Sequence, residues 1–98
     1  MQLKEGIFMK RYFGQAYGRV QGVGFRYFVQ SAAKKLGLTG WVKNMDDGSV
    51  TMQVQGEEKN INGLFIKIKQ GNMFIKASKF TTKEINCIDA EQDFDIKY

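Results

Sequence analysis

Residues 18–37 read GRVQGVGFRYFVQSAAKKLG, and this stretch sets the architecture of the chain. Its second half carries the strongest periodicity in the sequence. Phe25, Phe28, Val29, Ala32, Ala33 and Leu36 recur at helical spacing and share one apolar face. Lys34 and Lys35 fall in the last turn, where cations complement the helix dipole, and Gly37 is placed to close it in a left-handed cap. The first half holds Gly18, Gly22 and Gly24, the cations Arg19 and Arg26, and no acid. Glycines entering a helix let several backbone N–H groups turn inward and approach a ligand closely, and the helix N-terminus adds partial positive charge. That combination makes a cradle for a phosphate-sized anion. Arg26 lies in the first helical turn, where a cation opposes the dipole by roughly 0.3–1 kcal/mol. Local rules are broken most often at functional sites. A dianion gripped by the guanidinium fork would turn this penalty into attraction. The alternative is an exposed arginine beside a structural glycine turn.

Upstream, MKRYFGQAY (residues 9–17) alternates with period two, Tyr12, Gly14 and Ala16 on one face and Phe13, Gln15 and Tyr17 on the other, as a strand does. Downstream, LTGWVKNM and SVTMQVQ flank DDG as a hairpin, with Val50, Met52 and Val54 alternating in its second arm. GEEKNINGLFIKIKQG (residues 56–71) reads as a second helix: Glu57 and Glu58 suit its start, Ile61, Leu64, Phe65 and Ile68 form its stripe, and Gly71 stops it. Asn62-Gly63 also reads as a turn. IKASKFTT is a further strand, and DFDIKY a short closing one in which Phe94, Ile96 and Tyr98 alternate. Strand, helix, strand, strand, helix, strand predicts an α+β ferredoxin-like βαββαβ sandwich. In it an antiparallel sheet carries both helices on one face, with a short C-terminal strand added. Right-handed crossovers make the first two strands parallel with the third between them. Their C-terminal ends then lie at one sheet edge about 10 Å apart, which brings GRVQGVGFR and WVKNMDDG close enough to share one small ligand.

Composition bounds the chemistry. Ninety-eight residues with 43% hydrophobic content are enough for one modest core. No run approaches the roughly 18 apolar residues of a membrane span, and the N-terminal residues do not read as a signal peptide. The single Cys87 forms no internal disulfide and sits among acids, so it reads as inert and a cytoplasmic location is expected. The net charge of +5 is unevenly laid out. No acid falls between Glu5 and Asp46, whereas Lys10, Arg11, Arg19, Arg26, Lys34, Lys35 and Lys43 do, and Glu84, Asp89, Glu91, Asp93 and Asp95 collect near the C-terminus. A basic first half suggests an anionic partner; a solvated basic face is the alternative. The P-loop pattern fails for want of a Lys-Ser or Lys-Thr pair, and the dinucleotide fingerprint fails because its third glycine would fall at Tyr27. SVTMQVQ lacks the aromatic platform of an RNA-recognition strand, so nucleic acid is not expected. There is no histidine, and Asp93 stands where a cysteine phosphatase would need an arginine after Cys87. A reaction at this loop must rest on positioning and charge stabilisation with water as nucleophile, which phosphoryl transfer to water allows.

GRVQGVGFR followed by GLTGWVKNMDDGSV closely resembles the acylphosphatase family, and the element order fits along nearly the whole chain. The resemblance implies one domain over residues 1–98, with residues 1–8 a loosely ordered N-terminal extension. It implies hydrolysis of acyl phosphates to a carboxylate and inorganic phosphate, with no metal, no cofactor and no covalent intermediate, by a protein expected to be a monomer. On the matching positions, the backbone amides of Gln21, Gly22, Val23, Gly24, Phe25 and Arg26 would hold the phosphoryl oxygens. Arg26 would be the phosphate-binding arginine and Asn44 the water-orienting asparagine. A related motif also occurs as a domain of larger carbamoyl-transferring maturation proteins. The chain departs from the family in having GNMF where prolines often follow the second helix, and Gly14 where a larger apolar residue is usual. The other reading is a non-catalytic module, with the loop as an anion sensor or the basic face docking nucleic acid.

Overall fold

A computed structural model describes residues 2–4 and 7–98, with side chains from Phe8 onward. The elements run β1 (Gln2–Lys4), β2 (Ile7–Arg19), α1 (Phe25–Lys35), β3 (Thr39–Asn44), β4 (Val50–Glu57), α2 (Glu58–Gln70), β5 (Lys76–Ile85) and β6 (Phe94–Lys97). The main sheet has the order β5-β2-β4-β3-β6, and β1 pairs antiparallel with the start of β2. The extension expected over residues 1–8 lies partly outside the described residues. The sheet is antiparallel except for β6, which runs parallel to β3 with Gly40 opposite Phe94 and Val42 opposite Ile96. As the ferredoxin-like topology requires, β2 and β3 are parallel with β4 between them.

Alternation along the strands decides which face is covered. Ala16, Val42, Val50, Met52, Val54 and Phe94 turn toward the helices and are buried with Phe25, Val29, Ala33, Ile61, Leu64 and Ile68. Each large apolar side chain removed from water in this way contributes roughly 1.5–3 kcal/mol. Helix α1 lies over β3 and β6, and α2 lies over β2, β4 and β5. The Asn62-Gly63 pair does not turn: tertiary packing of the Ile61, Leu64, Phe65 and Ile68 stripe carries α2 straight through it. At the end of α1, Gly37 (φ 68°) donates to Lys34 O and Leu38 N donates to Ala33 O at 2.9 Å. This is a Schellman closure, with Leu38 and Ala33 both buried beneath it.

The two departures from the family pattern are filled locally. A Cβ on Gly14 would stand 3.1 Å from Met52 Cγ and 3.3 Å from Phe80 Cζ, so Phe80 and Met52 already occupy the space of a larger residue. After α2, Asn72 Oδ1 accepts from the N–H groups of Phe74 and Ile75, both at 2.8 Å, which fixes the turn without a proline.

Charges segregated in sequence meet in space. The Arg11 guanidinium is buried on the sheet face opposite the helices. Glu91 of the loop 86–93 grips it through two bonds, of 2.8 and 3.2 Å, and the Oε1 atoms of Gln53 and Gln55 accept from it as well. Lys10 pairs with Glu58 at 2.9 Å, which raises the lysine pKa and lowers that of the glutamate. Two cations of the basic first half are therefore neutralised by acids from later in the chain, and Arg11 belongs to no open basic face.

Candidate functional site

Strand β2 ends at a bulge. Gly18 has φ 116°, and a Cβ there would stand 2.6 Å from Lys76 O, so only glycine fits. The chain then turns over buried Val20 into α1 through Gly22 (φ 73°) and Gly24 (φ 78°). At both positions a Cβ would enter open space; glycine is required there by the left-handed backbone rather than by crowding. Gly24 is the N-cap of α1, so no side chain caps the helix, and its first turn has no acid. Gly24 O accepts from Phe28 N, but among the described residues no acceptor is recorded for the N–H groups of Gln21, Gly22, Val23, Gly24, Phe25 or Arg26. Orphan donors at a helix start need an external partner, and an anion supplies one.

Three other elements complete the site. Asn44 ends β3. Its amide makes no recorded hydrogen bond to the described residues, and its Oδ1 is buried without a partner. The Gln21 side chain donates from Nε2 to Met45 O and Ser49 O, both at 2.8 Å, and so ties the loop to the turn that follows Asn44. That turn is held by Asp47, whose carboxylate accepts from the hydroxyl and backbone N–H of Ser49 and is thereby kept below the usual carboxylate pKa. From the opposite side, the end of β6 fixes Arg26. Nη1 donates to Lys97 O at 3.1 Å, and the guanidinium lies 4.7 Å from the centroid of the Tyr98 ring.

These parts surround a cavity of about 310 Å³ lined by Gly22, Gly24, Phe25, Arg26 and Asn44, together with Val20, Tyr27, Ile96 and Tyr98. Of the residues expected from the sequence, Arg26, Asn44, Gly22, Gly24 and Phe25 meet there. Gln21 and Val23 do not line it: the Gln21 side chain faces the hairpin, and Val23 lines a second cavity between the helices. The reading of the loop as a backbone cradle missed the Gln21 side chain, whose role depends on a contact 24 and 28 residues away. It also missed Tyr98, although a signal existed. Tyr98 continues the alternation of Phe94 and Ile96, which points it to the helix side of the sheet, where Arg26 lies.

With this geometry in place, relatedness is informative. The acylphosphatase family profile matches residues 12–96. Acylphosphatase of Clostridium acetobutylicum is 48% identical over 90 residues, covering 92% of this chain and 99% of that protein. The crystal structure of acylphosphatase from Bacillus subtilis superposes with a TM-score of 0.86 at 40% identity, covering 93% of this chain and all of that one. A full-length HypF, solved in a phosphate- and nucleotide-bound form, is 32% identical with a TM-score of 0.84 over 93% of this chain but only 12% of its own. A family profile over residues 12–96 and a relative 48% identical over nearly its whole length place the chain in the acylphosphatase family.

Proposed function

We propose that this protein hydrolyses the carboxyl–phosphate bond of acyl phosphates, without a metal, by binding the phosphoryl group in the 310 Å³ cavity. Family membership supports the reaction. The observation that carries the residue roles is the convergence of partnerless backbone amides, the Arg26 guanidinium and the uncommitted Asn44 amide on one cavity. The amides of Gly22, Gly24, Phe25 and Arg26, together with the Arg26 guanidinium, neutralise the phosphoryl oxygens. A water held by Asn44 attacks phosphorus in line, its oxygen forms the new P–O bond, and the pair of the breaking P–O bond leaves with the carboxylate. The water's proton passes to a phosphoryl oxygen, since a carboxylate leaving group needs no protonation. Catalysis of this kind is positioning and electrostatic stabilisation by groups already aimed at the charge. Lys97 O and Tyr98 spare Arg26 the entropy of being ordered at the moment of reaction.

The deciding experiment is hydrolysis of benzoyl phosphate with a chelator present, comparing the natural protein with Arg26→Ala. The natural protein turns over, and the variant loses on the order of 10²–10³ in rate together with inhibition by inorganic phosphate. Turnover that needs an added metal, or an Arg26→Ala protein of near-normal rate, overturns the proposal.

A further inference from the structure

Gly24 and Tyr27 line two cavities: the one proposed to hold the phosphoryl group and a second, of about 340 Å³, between α1 and α2. Its apolar wall is Val23, Phe28, Ala32 and Ile75. Large apolar side chains cluster near it: Tyr27 is 71% exposed, and Met73 and Phe74, between the lining residues Asn72 and Ile75, are 83% and 63% exposed. Lys35 and Lys67 border the groove as well. Lysine stems cover apolar surface while their ammonium groups stay in water, so they extend the wall. From Gly24 to Ala32 the helix rises about 12 Å, the reach of a medium-length acyl chain.

We infer that this interhelical groove is an acyl-chain subsite, and that the substrates it favours are acyl phosphates of aliphatic acids of about eight carbons rather than acetyl phosphate. The inference rests on the proposed hydrolysis and goes beyond it by naming the leaving group. In-line displacement puts the departing oxygen opposite the attacking water. Asn44 lines the first cavity but not the groove, whereas Gly24 and Tyr27 line both, so the groove borders the site at residues other than the one proposed to hold the attacking water. On the other side of Asn44 lies a cavity bordered by Gln15, Lys43, Met45, Asp46, Asp47 and Ser49. Its lining is mostly polar and charged, which suits water better than an aliphatic chain.

The test is kcat/KM for acetyl, butanoyl, hexanoyl and octanoyl phosphate below their micellar concentrations, with binding of octyl phosphate against inorganic phosphate measured alongside by calorimetry. A half-covered methylene is worth about twofold, so the six methylenes separating acetyl from octanoyl raise kcat/KM by about 60-fold. Ser31→Phe, which places a ring in the groove, lowers that ratio by about tenfold. A flat chain-length series with acetyl phosphate still hydrolysed overturns the subsite and leaves the function intact. Octyl phosphate binding no tighter than phosphate overturns it whether or not the variant folds. Preference for a short acyl phosphate bearing a distal carboxylate also overturns it, by making Lys35 and Lys67 anion ligands. Tight octyl phosphate binding without hydrolysis of any acyl phosphate upholds the groove and removes the proposed function.

Discussion

Removing the side-chain amide of Gln21 tests whether the site depends on a latch between two strand ends. In Gln21→Ala, Met45 O and Ser49 O both lose the donor that stands 2.8 Å from each. A neutral hydrogen bond contributes about 0.5–1.5 kcal/mol net, and the half-exposed position puts each of these near the lower end, for a total of about 1–1.5 kcal/mol. For a chain of this size, about 6 °C of Tm per kcal/mol gives a fall of about 6–9 °C. Gln21→Glu falls further, because a carboxylate cannot donate and would face two carbonyl oxygens. The functional effect is selective. The loop amides still bind phosphate, but the distance from the loop to Asn44 is no longer fixed, and small misplacements of reacting groups carry large rate costs. Thermal melts, kcat on benzoyl phosphate and the inhibition constant of inorganic phosphate are measured on the same preparations. A kcat about tenfold lower with less than a twofold change in phosphate inhibition is expected. An unchanged Tm and kcat would refute the latch, and a collapse of phosphate inhibition would show that Gln21 shapes the cradle instead.

The loop backbone and the buried charge pair give two further outcomes. Gly24→Ala forces a residue with a Cβ into φ 78° while meeting no neighbour; the cost is left-handed strain of about 1 kcal/mol, read in urea melts, and weaker inhibition by phosphate because the methyl group enters the site. Glu91→Gln leaves the buried Arg11 cation with only neutral acceptors; breaking such a pair costs about 3 kcal/mol, discounted to about 2 for the partly exposed glutamate, so urea midpoints fall while KM for benzoyl phosphate is unchanged.

What the sequence discloses here depends on the range of the interaction. Period-two alternation in β2 and β4, the apolar face of α1 and the Gly37 cap are local, and each element formed where its pattern lies. Element ends were less legible. Strand β2 runs through Arg19 and β5 through Ile85 because pairing with each other extends both beyond their apolar alternation. Arg11 counted as part of a basic surface until the loop carrying Glu91 folded over it, a pairing across 80 residues that no local pattern encodes. At the site, Gly22, Gly24 and Arg26 stood out because each breaks a local preference. Gln21 did not, because a glutamine in a loop breaks none.

That contrast says how the site is kept ready. An uncapped helix start, a cation in its first turn and a buried amide oxygen on Asn44 without a partner among the described residues are each locally unfavourable. A bound dianion answers the first two. The Asn44 oxygen is a standing cost, and Asn44→Ala removes it. An unpaired buried acceptor costs about 1–3 kcal/mol, less the packing lost with the side chain. The variant should therefore match or exceed the natural protein in Tm, by up to about 5 °C, while kcat on benzoyl phosphate falls on the order of 10²-fold and phosphate inhibition stays within about twofold. Differential scanning calorimetry with and without phosphate, alongside kinetics, separates these effects. A destabilised variant with normal turnover would mean that Asn44 serves the strand rather than the water, and the division of labour between loop and strand end would have to be redrawn.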